Sequence, residues 1–235
     1  VHRLFPEART LRMDRDTTSK KNSHEQILES FGRGDADILI GTQMIVKGHD
    51  FSRVTLVGVL LADLTLFSGD YRAGERTFDL LTQAAGRAGR GDVPGKVVIQ
   101  TYKPDNYVIT AAASQDYRAF YDIEEAYRSL MRYPPEWNMM VIMGTGMDEE
   151  QLANIMDRMY SLIRGKYINA GHLSVIGPSE PAISKIKDVY RRVLYIKHRD
   201  YRMLVDVKDY VEEWLKENGE NDVSVFFDLN PVNMY

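Results

Sequence analysis

Cysteine is absent from these 235 residues, which excludes a disulfide or a thiolate-bound metal within the segment. Histidine is scarce as well. The five, at His2, His24, His49, His172 and His198, include no pair at the i, i+4 spacing of a helical metal site, and no metal is expected on this chain. No apolar run approaches the roughly 20 residues that a membrane-spanning helix needs, so no membrane partner is expected. Also missing are a G-x-x-x-x-G-K-[ST] phosphate loop and an acidic magnesium-binding motif, which excludes a self-sufficient nucleotide hydrolase. A basic excess is lacking too. With a formal net charge of -4, any attraction for nucleic acid has to come from local patches.

What is present is an ordinary globular composition, 44% hydrophobic and 27% charged, with room for two modest domains. Residues 10–13, 38–40, 54–61 and 96–101 read as extended, and residues 20–31 and 71–88 as helical. That alternation over residues 1–110 predicts an α/β domain with a mostly parallel sheet and flanking helices. A helical pattern runs from Asn106 to Met131, making 111–135 a connector that ends where Pro134-Pro135 forbids helix. Residues 136–235 then read β-α-β-β-α-β, the small α+β plan called split βαβ or ferredoxin-like. The stretch from Ser179 to Val189, with Pro178 and Pro181 at its start, is the least patterned part.

Three segments carry candidate chemistry. In Gln83-Ala84-Ala85-Gly86-Arg87-Ala88-Gly89-Arg90, helical spacing places Gln83, Arg87 and Arg90 on one stripe and Phe78, Leu81, Ala85 and Ala88 on the other. Only Ala and Gly separate the arginines, so a polyphosphate can approach two planar, permanently charged forks. Read alone, such arginines serve equally to offset a helix dipole beside a glycine cap. The second segment, Gly41-Thr42-Gln43-Met44-Ile45-Val46-Lys47-Gly48-His49-Asp50-Phe51, lies between two buried-strand patterns, where α/β sheets place ligand contacts. The third joins Lys185, Lys187, Arg191, Arg192, Lys197, Arg199 and Arg202 with Tyr190, Tyr195 and Tyr201. Cations and stacking rings suit DNA, and the same pattern equally describes a solvated strand edge with core tyrosines.

Taken together, these segments resemble the helicase motifs of superfamily 2. The strand followed by GTQMIVKGHDF looks like motif V, and QAAGRAGR like motif VI. With Arg12-Met13-Asp14-Arg15-Asp16-Thr17, Tyr71-Arg72-Ala73-Gly74-Glu75-Arg76, Pro94 to Thr101, Tyr133-Pro134-Pro135, Val175 to Ser179 and Asp228-Leu229-Asn230-Pro231, the resemblance narrows to the primosomal protein N prime family of bacterial replication-restart helicases. It covers nearly the whole chain. It implies a RecA-like second motor lobe over residues 1–110, incomplete because its first strand and helix would precede Val1, and a C-terminal DNA- or partner-binding domain over 136–235. The chain opens on Val1-His2 rather than Met, and reads as the C-terminal portion of a longer protein.

By the same resemblance, ATP and Mg2+ would be bound mainly by a first lobe outside this sequence, and the family's zinc module would lie upstream of Val1. Arg90 would be the arginine finger, Arg87 a second phosphate contact and Gln83 a positioning residue. Gly48 and Asp50 would approach the nucleotide, Thr42 the DNA backbone, with Lys47 a further DNA candidate. Lys185, Lys187, Arg191, Arg192 and Lys197 would contact branched or single-stranded DNA. A single-stranded-DNA-binding protein and other primosome proteins are implied partners, in the cytoplasm. Two alternatives stay open: another superfamily 2 repair or branch-migration translocase, and a non-motor DNA-binding scaffold.

Overall fold

Short parallel strand pairs open the chain. In a computed structural model, which describes residues 1–18, 22–46, 51–89, 93–167, 169, 171–219 and 222–234, β1 (Thr10–Met13) pairs with β2 (Ile38–Gly41) across helix α1 (Ser23–Arg33). Strand β3 (Leu56–Val59) likewise pairs in parallel with β4 (Lys96–Ile99), with α2 (Asp63–Leu66) and α3 (Ala73–Ala85) between them. The parallel pairing agrees with the sequence pattern, but among the described residues it forms two separate pairs rather than one sheet. Each strand is four residues long, and Ile40, Leu56 and Val98 stay exposed. Neither pair therefore has the two covered faces on which parallel sheets widen.

Two compact units result, one built from Val1–Ser68 and Ala73–Phe120, the other from Gly69–Arg72 and Tyr121–Tyr235. The first is held by α3 against α4 (Tyr107–Ser114): Phe78 and Leu81 bury against Val108, Ile109, Ala111 and Ala112, and Phe78 stacks on Phe120 with centroids 4.3 Å apart. Asp63 is buried at the start of α2. Its carboxylate accepts the Tyr102 N–H (2.9 Å) and the Thr101 hydroxyl (2.7 Å), bonds that lower its pKa and tie α2 to the end of β4. The single helix expected over Asn106–Met131 is two. Gln115, at φ 55, closes α4 in the left-handed region, and Asp116 Oδ1 accepts the Ala119 N–H at the start of α5 (Tyr117–Leu130).

In the second unit the chain runs β5 (Asn138–Gly146), α6 (Glu149–Tyr167), β6 (Ser174–Ser179), β7 (Lys185–Ile186), β8 (Val189–His198), α7 (Tyr201–Asn218) and β9 (Val223–Leu229). All pairings are antiparallel in the order β6-β8-β5-β9, with β7 beside β8. Strand β5 is central, which is why Met139 to Met143 are fully buried. Alternation sends Met140, Ile142, Leu194 and Ile196 toward the helices. There they meet Leu152, Ile155, Met156, Met159 and Ile163 of α6 and Leu204, Val207 and Val211 of α7. Val141, Met143, Val193 and Tyr195 form a smaller cluster on the other face. The stretch after Ser179 is not a plain connection. β7 turns into β8 through Lys187 and Asp188, both at positive φ (47 and 64), a two-residue hairpin that no glycine announces in the sequence.

Candidate functional site

Helix α3 is amphipathic from the start: Ala73, Thr77, Phe78, Leu81 and Ala84 are buried, and the Thr77 hydroxyl bonds back to the Ala73 carbonyl (2.8 Å). It ends at Ala85. Beyond it the coil tightens, with Arg87 N–H on the Ala84 carbonyl (3.0 Å) and Ala88 N–H on Ala85 (3.2 Å), the i→i+3 pattern of a helix terminus. Gln83 is exposed on the helix, whereas Arg87, expected on the same helical stripe, is half-buried on the turn that follows it. Arg90 lies outside the described residues.

What fixes this turn is glycine. Gly89, at φ 74, donates its N–H to the Val54 carbonyl (3.0 Å), and Lys96 N–H bonds to Thr55 (2.8 Å), so the turn is fastened beside the first residues of β3 and β4. A Cβ on Gly89 would run into the backbone nitrogen of Gly95, and one on Gly95 into that of Gly89. Only two glycines allow the two backbones this close.

The second segment reaches the same helix. β2 ends at Gly41, where a Cβ would collide with the Met13 carbonyl and stand 2.7 Å from Ile45 Cγ2, so the chain folds back tightly. Thr42 is exposed, its carbonyl accepting Ile45 N–H (3.2 Å), and a 3-10 turn over Gln43–Val46 packs on α3. Lys47, Gly48 and Asp50 lie outside the described residues. From Phe51 the chain is anchored again: Phe51 meets Phe31 edge-on (5.0 Å), and Arg53 donates to the Gly32 carbonyl (2.8 Å). Sequence reasoning gave no role to the turn after β1. There Asp14 accepts the Thr17 N–H (3.0 Å), the largest cause of its lowered pKa, and pairs with Arg12.

The basic segment divides between two sheet faces. Lys187 is exposed at the hairpin turn, and Lys185 is exposed beside Tyr190 (hydroxyl 3.2 Å) and Asp188 (3.3 Å), which raise its pKa. Arg191 is half-buried, donating to the Ile183 carbonyl (3.1 Å), and Arg192, also half-buried, faces the opposite side by strand alternation. Lys197 is corrected as a DNA candidate. It is only 5% exposed, its Nζ donates to the Met131 carbonyl (3.1 Å) and stands 3.5 Å from the Tyr133 ring centroid. Burial first, then Arg132, pushes its pKa from 10.5 down to about 8.

A depressed lysine pKa means that the folded state disfavours the charge, fully below about 8, and that this penalty fades as pH climbs toward 10.5. Thermal melts are therefore expected to show stability attributable to Lys197 rising between about pH 8 and 9.5, and Lys197→Met to flatten that slope. Burial raises the pKa of the neighbouring Tyr133 and Tyr195, so their opposing effect begins only above that window.

Among the described residues no group of three or more His, Asp or Glu side chains is placed to hold a metal ion, and no helix is long and apolar enough to cross a membrane. Comparison with known proteins gives two successive matches. Residues 3–92 match the helicase conserved C-terminal domain, and residues 129–232 match the primosomal protein N C-terminal domain. The replication restart protein PriA of Bacillus subtilis (strain 168) is 42% identical over 234 residues, covering 99% of this chain and 29% of the relative. PriA of Synechocystis is 35% identical over 230 residues (98% and 27%), and that of Chlamydia trachomatis serovar D 37% over 235 (100% and 31%). The chain belongs to the PriA family. It spans about three tenths of the length of these PriA relatives. The helicase match contains α3 and the fastened turn, and the PriA-specific match contains the whole antiparallel sheet.

Proposed function

We propose that this chain supplies the second, RecA-like lobe and the DNA-binding C-terminal domain of an ATP-dependent DNA helicase acting in replication restart and primosome assembly at stalled or branched forks. The observation that carries the proposal is the fastened turn: a half-buried arginine set among Ala and Gly, at the end of a helix against which the 3-10 turn of the motif V segment packs. The strand order β6-β8-β5-β9 with two helices on one face supports a ferredoxin-like reading of the terminal domain. The continued match over residues 129–232 favours replication restart over a repair or branch-migration motor with a different terminus.

A guanidinium on a close-approach turn fits phosphate oxygens. This chain would accordingly face the phosphates of ATP, with Mg2+ held mainly by the other lobe. When bound, the nucleotide supplies a phosphoanhydride whose cleavage drives the motor. Arg90 meets charge developing at the γ-phosphate, Arg87 makes a second contact, and Gln83 orients them. Gly48 and Asp50 approach the nucleotide while Thr42 and Lys47 grip the DNA backbone, so one segment senses both ligands and lobe closure becomes movement along a strand. Lys185, Lys187, Arg191 and Arg192 supply phosphate attraction for branched DNA. A single-stranded-DNA-binding protein and other primosome proteins are the proposed protein partners.

The test is DNA-stimulated ATP hydrolysis by the full-length protein carrying Arg90→Ala. An arginine finger is worth on the order of 10³ to 10⁵ in rate, so turnover is expected to collapse while DNA binding persists. Undiminished turnover rejects the assignment of Arg90.

A further inference from the structure

Helix α5 ends on an arginine where helices ordinarily end on glycine. The Tyr133 N–H reaches back to the Arg128 carbonyl (2.8 Å) and the Arg132 N–H to that of Ser129 (3.2 Å), the paired bonds that close a helix when the residue past its end turns left-handed. That residue is Arg132, at φ 58. Glycine takes this backbone without steric cost, whereas a Cβ is crowded in it, so a side chain stands here against the local preference.

The side chain goes to Trp137. The Arg132 guanidinium stands 5.1 Å from the centroid of that indole, and the Arg199 guanidinium, arriving from the end of β8, stands 5.4 Å from it. Trp137 is only 5% exposed while both arginines are exposed, so one buried ring orders two charged forks at the surface. The backbone beneath them is fastened. Asn138 Nδ2 donates to the Arg199 carbonyl (2.8 Å), and His198 Nε2 joins the same strand end to the Gly171 carbonyl (3.0 Å). A third cation, the buried Lys197, lies close enough that, after burial, the Arg132 charge is what lowers its pKa. All of these residues belong to the second unit.

Among the described residues neither guanidinium is in an ion pair. The carboxylates nearest in sequence are engaged elsewhere: Glu136 accepts from the Ser129 hydroxyl (2.6 Å), and Asp200 caps α7 by accepting the Arg202 N–H (2.9 Å). The hairpin cations differ in this respect. Lys185 is paired with Asp188, and Arg191 is bonded to the Ile183 carbonyl. Two planar, permanently charged forks without internal partners match phosphate oxygens, and a chain of repeated phosphates can engage both at once.

We propose that Arg132 and Arg199, ordered on Trp137, form a phosphodiester-binding site through which the second unit grips a strand of DNA. It rests on the DNA-binding reading of the terminal domain and adds to it a site of which the basic run in the sequence shows only one half, because Arg132 comes from the connector. Contact with phosphate rather than with bases makes the grip indifferent to sequence.

The test follows binding of the full-length protein to a labelled single strand and to forked DNA by fluorescence anisotropy across a salt series, with melting temperature as a second readout. Arg132→Gly is the informative variant because the two readouts part. Glycine relieves the left-handed backbone, so the melting temperature should hold or rise. Affinity for the single strand should fall on the order of tenfold, and the slope of log K against log salt should shrink by about 0.7, the share of one phosphate contact. Arg199→Gln is expected to act alike at the other fork, and the double variant to lose about twice the slope. Unchanged affinity and slope in the double variant overturn the proposal. So does a melting temperature that falls together with affinity in Arg132→Gly, the mark of packing on Trp137 alone. If the double variant loses affinity for polyglutamate while DNA binding persists, the pair serves an acidic protein partner and the proposal is equally overturned. Absence of salt-sensitive binding by the unaltered protein would instead reject the DNA-binding reading itself, and this site with it.

Discussion

Full-length protein carrying Arg87→Ala is expected to hydrolyse ATP roughly 10² to 10³ times more slowly in the presence of DNA, the usual loss when one donor to developing charge is removed. The turn explains why the effect should be large. Arg87 does not ride on a frayed helix end: the backbone around it is bonded to Ala84, Ala85 and, through Gly89, to Val54. A donor fixed before the reaction begins needs no reorganisation as charge develops, and a water molecule in its place would not be so constrained. If the contact forms only in the transition state, kcat and kcat/KM fall together; a rise in KM at constant kcat would instead make Arg87 a ground-state phosphate contact. Arg87→Lys sharpens the reading. It keeps the charge and loses the planar fork, so recovery of less than about a tenth of the lost rate points to bidentate geometry, and near-complete recovery to charge alone.

How far the sequence carried this picture depended on whether local pattern or distant contact decided each feature. Helices α6 and α7 and strand β5 were legible because apolar spacing alone specifies the faces they bury, at Leu152, Ile155, Met156 and Met159 for example. The close-packed glycines were visible only as composition: nothing local to Gly89 says that Gly95 lies against it. Lys197 misled for a related reason. It sits in a basic run, but the strand period places it with Tyr195 and Val193, and the cover that buries it comes from Met131 and Tyr133, more than sixty residues earlier. Tyr71 was equally hidden, since its partners Tyr133 and Pro231 lie far along the chain. The break at Gln115 and the Lys187-Asp188 turn escaped because neither uses glycine at positive φ. Residues 47–50 and 90, which carry several of the proposed contacts, are outside the described structure, so their roles rest on the resemblance of motifs V and VI.

The glycine contact gives the second large effect. Gly89→Ala is expected to destabilise the first unit by about 2 to 5 kcal/mol, combining the left-handed backbone penalty with overpacking against Gly95. At roughly 4 to 8 °C per kcal/mol for a small domain, the melting temperature should fall by more than about 8 °C. Gly58→Ala is the control, because a Cβ there stands in open space on β3 and no positive φ is involved. Gly95→Ala attacks the same contact from the opposite strand and should be destabilising as well. The decisive measurement is the pair together. Two independent defects add, whereas two that press on one shared contact do not: once the Gly89 turn has been pushed away from β4, a methyl group on Gly95 has less left to strike. The double variant is therefore expected to cost less than the sum of the singles by about 0.5 to 3 kcal/mol, the range seen for coupled neighbours. Strict additivity would mean that the turn and the start of β4 do not touch as described. The same displacement should lower ATP turnover of whatever full-length Gly89→Ala protein remains folded, because Arg87 leaves its position with the backbone that holds it; normal turnover in that folded fraction would show that catalysis does not depend on where this turn is held.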